Sequence, residues 1–424
     1  MEYSEIIFND KLNEKNVSNI KNNFFERKRK YNGNKNKFHK FIIFICLLLL
    51  KSNNESHKYI FNKLVNNENV KLINLNFTKK EYKVKGLDFL NKIKKTKLNN
   101  INKQFNHPKI SVLIPIYNCE KTIELSIKSI HFQNLNELEI LLVNDLSSDN
   151  SSYIIQELEN FDKRIKIINN KKNMGTFYSR CIGALKAKGD YIIGLDNDDF
   201  FSNEKILETV YLNAKNNDFD IVEIKSFNIP NYNPSYKQIR NGNYIYHPNN
   251  IILHQPELGK FSISYKKKLS FRDHFAWGKC IRSKIYKKAV YRLGYKRYST
   301  YNCWTEDLSI VFVLFNTAKS YIFLNIFGIF RFKGKTTTTH KLSNSHKLLS
   351  YIFYLDILFD FSWNDMETKN YIAQYALRFS SKRIKKLDIN SNLYFKSIIK
   401  KLIECQFISK EYKKQIKEKF DFLF

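Results

Sequence analysis

Residues 191–201 read YIIGLDNDDFF, an apolar run that stops on three carboxylates, Asp196, Asp198 and Asp199, before a second greasy pair. A short apolar run bounded by turn formers reads as a buried strand, so the acids begin where that strand leaves its sheet. The same layout recurs upstream. ISVLIP at 110–115 runs on to Tyr117 and Asn118, and EILLVND at 139–145 ends in Asn144 and Asp145. RIKIIN at 164–169 is followed by Asn173, Met174 and Gly175, with Arg180 a little further along. Between these runs the spacing turns helical: Ile123, Ile127 and Ile130 share one face, as do Ile206, Val210 and Ala214. FDIVEIKSF at 219–227 reads as a further strand. Short strands alternating with longer helices predict βαβ units, an α/β fold and a mainly parallel sheet. Right-handed crossovers put the strands' carboxyl ends on one edge, where ligands bind.

Four separate segments therefore deliver polar groups to one edge. Asp198, with Asp196 or Asp199 beside it, offers hard oxygen ligands that suit Mg²⁺ or Mn²⁺ bridging two phosphates. Bare carboxylates would repel a pyrophosphate, so the acids make sense with the ion counted. Asp145 can accept hydrogen bonds from a base or ribose. Taken singly, the residues have plainer readings. An Asp after a strand is often a helix cap or turn former, which covers Asp145, Asp149 and Asp199. Arg180 would pair with Glu157 or Asp190 at the surface. Neither G-x-x-x-x-G-K-[ST] nor G-x-G-x-x-G occurs, which argues against P-loop and dinucleotide enzymes.

These residues resemble the inverting family 2 glycosyltransferases of the GT-A fold. The resemblance runs from Ile110 to about Thr339. It rests on SVLIPIYN, LLVNDLSSDNS, NMGTFYSR with GALKAKGDYI, and LDNDD. Downstream, FAWGKCIRSKIY looks like the family's W-x-K helix and TEDLSI at 305–310 like its E-D acceptor motif. The resemblance implies a Rossmann-like α/β/α sandwich, a nucleotide-sugar donor of the UDP-sugar kind, and Mn²⁺ or Mg²⁺ as cofactor. It places Pro115, Tyr117, Asn118, Asp145, Asn173, Gly175, Arg180 and Asp196 at the donor, Asp196 contacting ribose or metal. Asp198 would ligate the metal, Asp307 would be the catalytic base with Glu306 beside it, and Trp277 and Lys279 would lie on the acceptor side. The implied reaction is one in-line displacement at the anomeric carbon, with Asp307 taking the acceptor hydroxyl's proton. On their own, Glu306 and Asp307 would read as an exposed helix start, where acids favour the dipole. Cys181 stands where the family often has Asn, and His340 follows four threonines.

The 43% hydrophobic and 15% aromatic content suffices for a sizeable core, and 72 Lys and Arg against 40 acids give +32. That excess suits an anionic partner such as a nucleotide or a phospholipid surface. No nucleic-acid motif is visible, so no nucleic acid is expected. Six cysteines are scattered without a C-x-x-C pair, matching neither a zinc site nor a disulfide framework.

Residues 1–107 form a basic, Asn- and Lys-rich region with one apolar run, FIIFICLLLL at 41–50, behind the basic ERKRKYNGNKNKFHK. The run falls short of the roughly 20 residues that span a bilayer. A signal-anchor or signal-peptide core, with a membrane-associated ER/Golgi-type or cytoplasmic-face location, is one reading; a buried helix or strand of a cytoplasmic protein is the other. Sequons at Asn16, Asn54, Asn76 and Asn150 fit a secretory route and also fit chance in an Asn-rich chain. The transferase domain is expected over 108–340 and a helical region over 341–424. LSIVFVLFNTAKSYIFLNIFGIF is expected as a core helix and strand, and FAWGKCIRSKIYKKAV as a basic helix. The expected activity is sugar transfer to a glycan, protein or lipid hydroxyl. A polyprenyl-phosphate acceptor, or an inactive sugar-binding or scaffolding homologue, are the alternatives.

Overall fold

The computed structural model of the chain describes residues 72–424 apart from 74, 76, 242–250, 256–257, 260–274, 296–304, 334–342 and 363. The apolar run at 41–50, Asn16, Asn54, Asn76 and His340 lie outside the described residues.

The expected alternation is present. Helix α1 (Lys79–Lys95) precedes β1 (Ile110–Ile116), α2 (Ile123–His131), β2 (Leu138–Asn144), α3 (Ser151–Phe161), β3 (Ile165–Asn169), α4 (Gly175–Lys186) and β4 (Tyr191–Gly194). Strands β1, β2 and β4 are buried along their whole length, which is why they read as continuous apolar runs rather than alternating ones. In the parallel register Ile116 lies opposite Asn144, and Asn144 opposite Asn169. The carboxyl ends of β1, β2 and β3 are therefore level. Helix α4 packs directly on β1 because Gly183 has no side chain: a Cβ there would come 2.0 Å from Leu113 Cδ1.

The second half continues with β5 (Phe200–Phe201), α5 (Ile206–Asn216), β6 (Ile221–Ile229), β7 (Arg240–Asn241), β8 (Ile251–His254), β9 (Lys279–Arg282), α6 (Ser283–Leu293), α7 (Glu306–Phe315) and β10 (Ser320–Phe332). The sheet runs β3-β2-β1-β4-β9-β6-β10-β5, with β7 added to β6 and β8 to β10. As the sequence reading expects, β3-β2-β1-β4 run parallel and so do β6 and β10, while antiparallel pairs enter at β9, β5, β7 and β8. Strand β9 enters antiparallel between β4 and β6, with Ile281 opposite both Ile192 and Ile221. FAWGKCIRSKIYKKAV is thus not one helix. Its Lys279–Arg282 segment finds two strands to pair with, buries Cys280 and Ile281 completely, and turns helical only at Ser283. LSIVFVLFNTAKSYIFLNIFGIF is a core helix and strand, α7 and β10.

One compact unit spans Lys71–Phe424, so it begins ahead of residue 108. Helix α1 belongs to it: Tyr82, Phe89, Leu90 and Ile93 are buried, and Gly86 lies close against the Phe330 ring. A capping box between Thr78 and Glu81 starts that helix. At the other end come α8 (Asn344–Phe361), α9 (Met366–Ala376), α10 (Ser381–Ile384), α11 (Ile389–Glu404) and α12 (Lys410–Phe420). Their apolar faces share one core cluster with α4, α6 and α7. Each fully buried Ile, Leu or Phe there contributes about 1.5–3 kcal/mol. Among the described residues no helix is long and apolar enough to cross a membrane.

Candidate active site

The loop after β4 holds the acids. Asp199 N–H donates to the Asp196 carbonyl at 3.1 Å, closing a turn over Asp196–Asp199. Three neighbours pin its backbone. Asn197 Nδ2 donates to the Pro115 carbonyl of β1 at 2.9 Å, and Tyr232 Oη donates to the Asp198 carbonyl at 3.1 Å. Ser126 Oγ from α2 donates to the carbonyls of Asn197, at 3.0 Å, and Asp199, at 2.5 Å. A carboxylate oxygen from each of Asp196, Asp198 and Asp199 falls within 4.8 Å of the others. Burial first, and Asp196 second, push the Asp198 carboxyl up to about 7. Burial and both neighbouring acids raise Asp199 well above the usual carboxylate range. Two acids whose carboxyls are pushed up, one with a buried oxygen lacking a partner (Asp199 Oδ2), gathered with Asp196 around one point fit a divalent cation.

Asp199 is no helix cap, contrary to its plain sequence reading. It is buried, and its Oδ1 accepts from the Phe332 N–H at 2.9 Å, tying the acid loop to the end of β10. Arg180 also departs from its plain reading of a surface pair. It is buried, and its Nη2 lies 2.6 Å from Asp196 Oδ1 while its Nε lies 3.6 Å from Asp307 Oδ1. One guanidinium thus joins the acid loop to the first turn of α7. Burial alone would disfavour that charge, but Asp196 and Asp307 outweigh it and hold its proton more firmly than usual.

Glu306 and Asp307 open α7. Burial raises both carboxyls; Glu306 reaches about 8, with Asp307 as the second cause. For Asp307, Arg180 pulls back against burial without cancelling it. The start of α7 is held by α8: Thr305 Oγ1 donates to the Ser350 carbonyl at 2.8 Å. The C-terminal helices therefore support the site directly.

Residues 111–288 match the family described as Glycosyl transferase family 2. That segment is under half of the chain, and over it the chain is similar to a family 2 glycosyltransferase domain. Over 101 residues it is 41% identical to an uncharacterized glycosyltransferase of Haemophilus influenzae, covering 24% of this chain and 40% of that one. Over 114 residues it is 39% identical to the cholesterol galactosyltransferase of Borreliella burgdorferi, covering 27% and 31%. The chain thus spans less than half the length of either curated relative. Among solved structures, S. aureus TarS 1-349 in complex with UDP-GlcNAc superposes with a TM-score of 0.50 at 16% identity, over 72% of this chain and 82% of that one. The likeness is one of fold, and the fold is GT-A.

At the other strand ends the domain is tightly knit. Asp145 is buried and accepts from Asn170 Nδ2 at 2.7 Å, Met174 N–H at 2.8 Å and Gly175 N–H at 2.7 Å. It caps α4 from the neighbouring loop, which is its plainer sequence reading. Gly175 makes this possible, since its φ of 82° is one that side chains rarely adopt. Asn118, also left-handed at φ 47°, accepts from Ser148 N–H at 2.8 Å and so joins the loops after β1 and β2. Pro115 is buried, while Tyr117 and Leu146 stand exposed on the rim, and Asn173 is exposed before α4. Cys181 points into the core cluster.

Trp277 and Lys279 are buried rather than open to an acceptor. Lys279 Nζ lies 3.1 Å from Glu223 Oε1 and donates to the Phe275 carbonyl at 2.8 Å. Glu223 also accepts from Tyr321 Oη at 3.0 Å, so the lysine closes a network across β9, β6 and β10. Trp277 stacks on Phe275 at 4.8 Å. Sequence reasoning missed Ser126, Tyr232 and Arg331. Arg331 sits at the end of β10, and the basic run RFKGK was its only signal.

Proposed function

We propose that the chain is a metal-dependent inverting glycosyltransferase, moving a sugar from a nucleoside-diphosphate sugar, a UDP-sugar in our reading, to a hydroxyl acceptor. The observation that carries this is the Arg180 bridge. It holds Asp196 of the acid loop and Asp307 of α7 in one ion-paired unit, as a displacement needs its donor site and its base to be. Asp307 takes the acceptor hydroxyl's proton. Burial raises its proton affinity for that task, and Arg180 restrains the rise. Glu306 lies beside it in the first turn of α7, its own carboxyl raised to about 8 by burial first and Asp307 second. Asp196 contacts the donor, and the Asp196–Asp199 turn, braced by Ser126, Asn197 and Tyr232, keeps the acids in place. Asp198, with Asp196 or Asp199, would hold Mn²⁺ or Mg²⁺, which when bound neutralises the departing diphosphate. Pro115, Tyr117 and Asn118 border the nucleoside pocket, and Asp145 and Gly175 shape it through the start of α4.

The acceptor is a hydroxyl on a glycan, protein or lipid. A curated relative named for galactosyl transfer to cholesterol supports keeping lipids in that set. The test is a panel of nucleotide-sugars with Mn²⁺, measuring donor hydrolysis and transfer for the wild type, Asp198→Ala and Asp307→Ala. Both variants are expected to keep the far-ultraviolet circular dichroism of the wild type and to lose turnover. Full activity in both would falsify the proposal.

A further inference from the structure

We propose that Arg331 grips the diphosphate of the nucleotide donor. The assignment rests on the glycosyltransferase reading above. Backbone geometry brings Arg331 to the acid loop on both sides. The preceding residue, Phe330, pairs with Phe200 beside Asp199, and the following residue, Phe332, donates its N–H to Asp199 Oδ1 at 2.9 Å. The half-buried side chain then folds over two aromatic rings. Its guanidinium carbon lies 4.5 Å from the centre of Phe275 and 5.4 Å from that of Trp277. Those rings are themselves stacked, so the guanidinium is placed by packing against them rather than by a polar partner.

Its five N–H donors are what remain. Among the described residues the Arg331 guanidinium has no hydrogen-bond or ion-pair partner, although its charge is felt by Asp198, Asp199 and Asp307. Nearby acids that wanted a structural salt bridge would have closed one, as Asp196 does with Arg180. A guanidinium held against two rings, unpaired and beside carboxylates suited to a cation, matches a ligand that is itself doubly anionic. A cation held by the carboxylates would neutralise part of the diphosphate's charge, and Arg331 donates two parallel hydrogen bonds to its phosphate oxygens.

The test compares affinities. The full chain with Mn²⁺ is titrated with UDP, CDP, GDP and ADP, and the tightest is then compared with its own nucleoside by competition. Arg331→Ala is expected to weaken the diphosphate by about tenfold or more while leaving the nucleoside within about twofold of wild type. Arg331→Lys, which keeps the charge and loses the planar fork, should fall between. A wild type that binds and hydrolyses a nucleotide-sugar, with Arg331→Ala binding the diphosphate equally well, overturns this assignment alone. Equal loss of diphosphate and nucleoside affinity overturns it too, because that marks a deformed pocket. A wild type that binds no nucleoside diphosphate overturns the glycosyltransferase reading and this assignment with it.

Discussion

Replacing Arg180 by Met keeps the volume of a buried side chain and removes the charge that two acids share. At an effective dielectric of about 20, unit charges at the 3.6 Å separating Arg180 Nε from Asp307 Oδ1 attract by about 4–5 kcal/mol. Asp196 and Asp307 keep 32% and 26% of their side chains accessible, so solvent screening brings the loss to about 2–3 kcal/mol. Thermal unfolding at neutral pH should therefore start several degrees lower. Adding Asp307→Asn to Arg180→Met should recover part of that loss, with a coupling above about 1 kcal/mol, because the orphaned carboxylate is gone. The pH–rate profile carries the second signature. Arg180 lowers the proton affinity of Asp307, so its removal raises it, and a base must be unprotonated to act. The acid limb should move to higher pH, with activity partly restored in alkaline buffer. Scanning fluorimetry and donor hydrolysis across pH 5–9 read both effects. An Arg180→Met protein with wild-type melting temperature and an unmoved acid limb would refute the bridge.

Two further outcomes follow from the same geometry. Asp198 and Glu306 have folded-state pKa values raised to about 7 and about 8, chiefly by burial. Their folded forms favour the proton, so this stability is fully present below about pH 4 and is lost as pH rises through those values. The metal-free melting temperature should fall between pH 5 and pH 8.5. Mn²⁺ should reverse the fall for the wild type and not for Asp198→Ala, and a flat profile would count against the buried acid cluster. Separately, Gly183→Val forces a Cβ toward Leu113 Cδ1 and Val143 Cγ2, at 2.0 and 3.1 Å. It should cost about 1–3 kcal/mol by overpacking, measured as a lower denaturant midpoint; an unchanged midpoint would show that α4 does not lie on β1 as described.

The strand and helix alternation, the level strand ends and the acid-rich exit from β4 were legible because they are local. A buried parallel strand reads as an unbroken apolar run, and the polar residues after it have nowhere else to go than the sheet edge. Asp198, Asp307 and Arg180 could be picked out by type and order. What Arg180 pairs with could not, since Glu157, Asp190, Asp196 and Asp307 are equally available to a reader of the chain. Burial decided it.

The sequence by itself determined the fold class and the edge on which the chemistry sits, because periodicity and turn chemistry act within a few residues. Only the tertiary structure decided which groups are free to act. Lys279, expected on the acceptor side, is buried once β6 brings Glu223 against it. Arg331 looks like one more basic residue until Phe275 and Trp277 are found packed against its guanidinium. Charges are read one at a time along a chain, but their pKa values, partners and availability depend on distances between residues far apart in sequence.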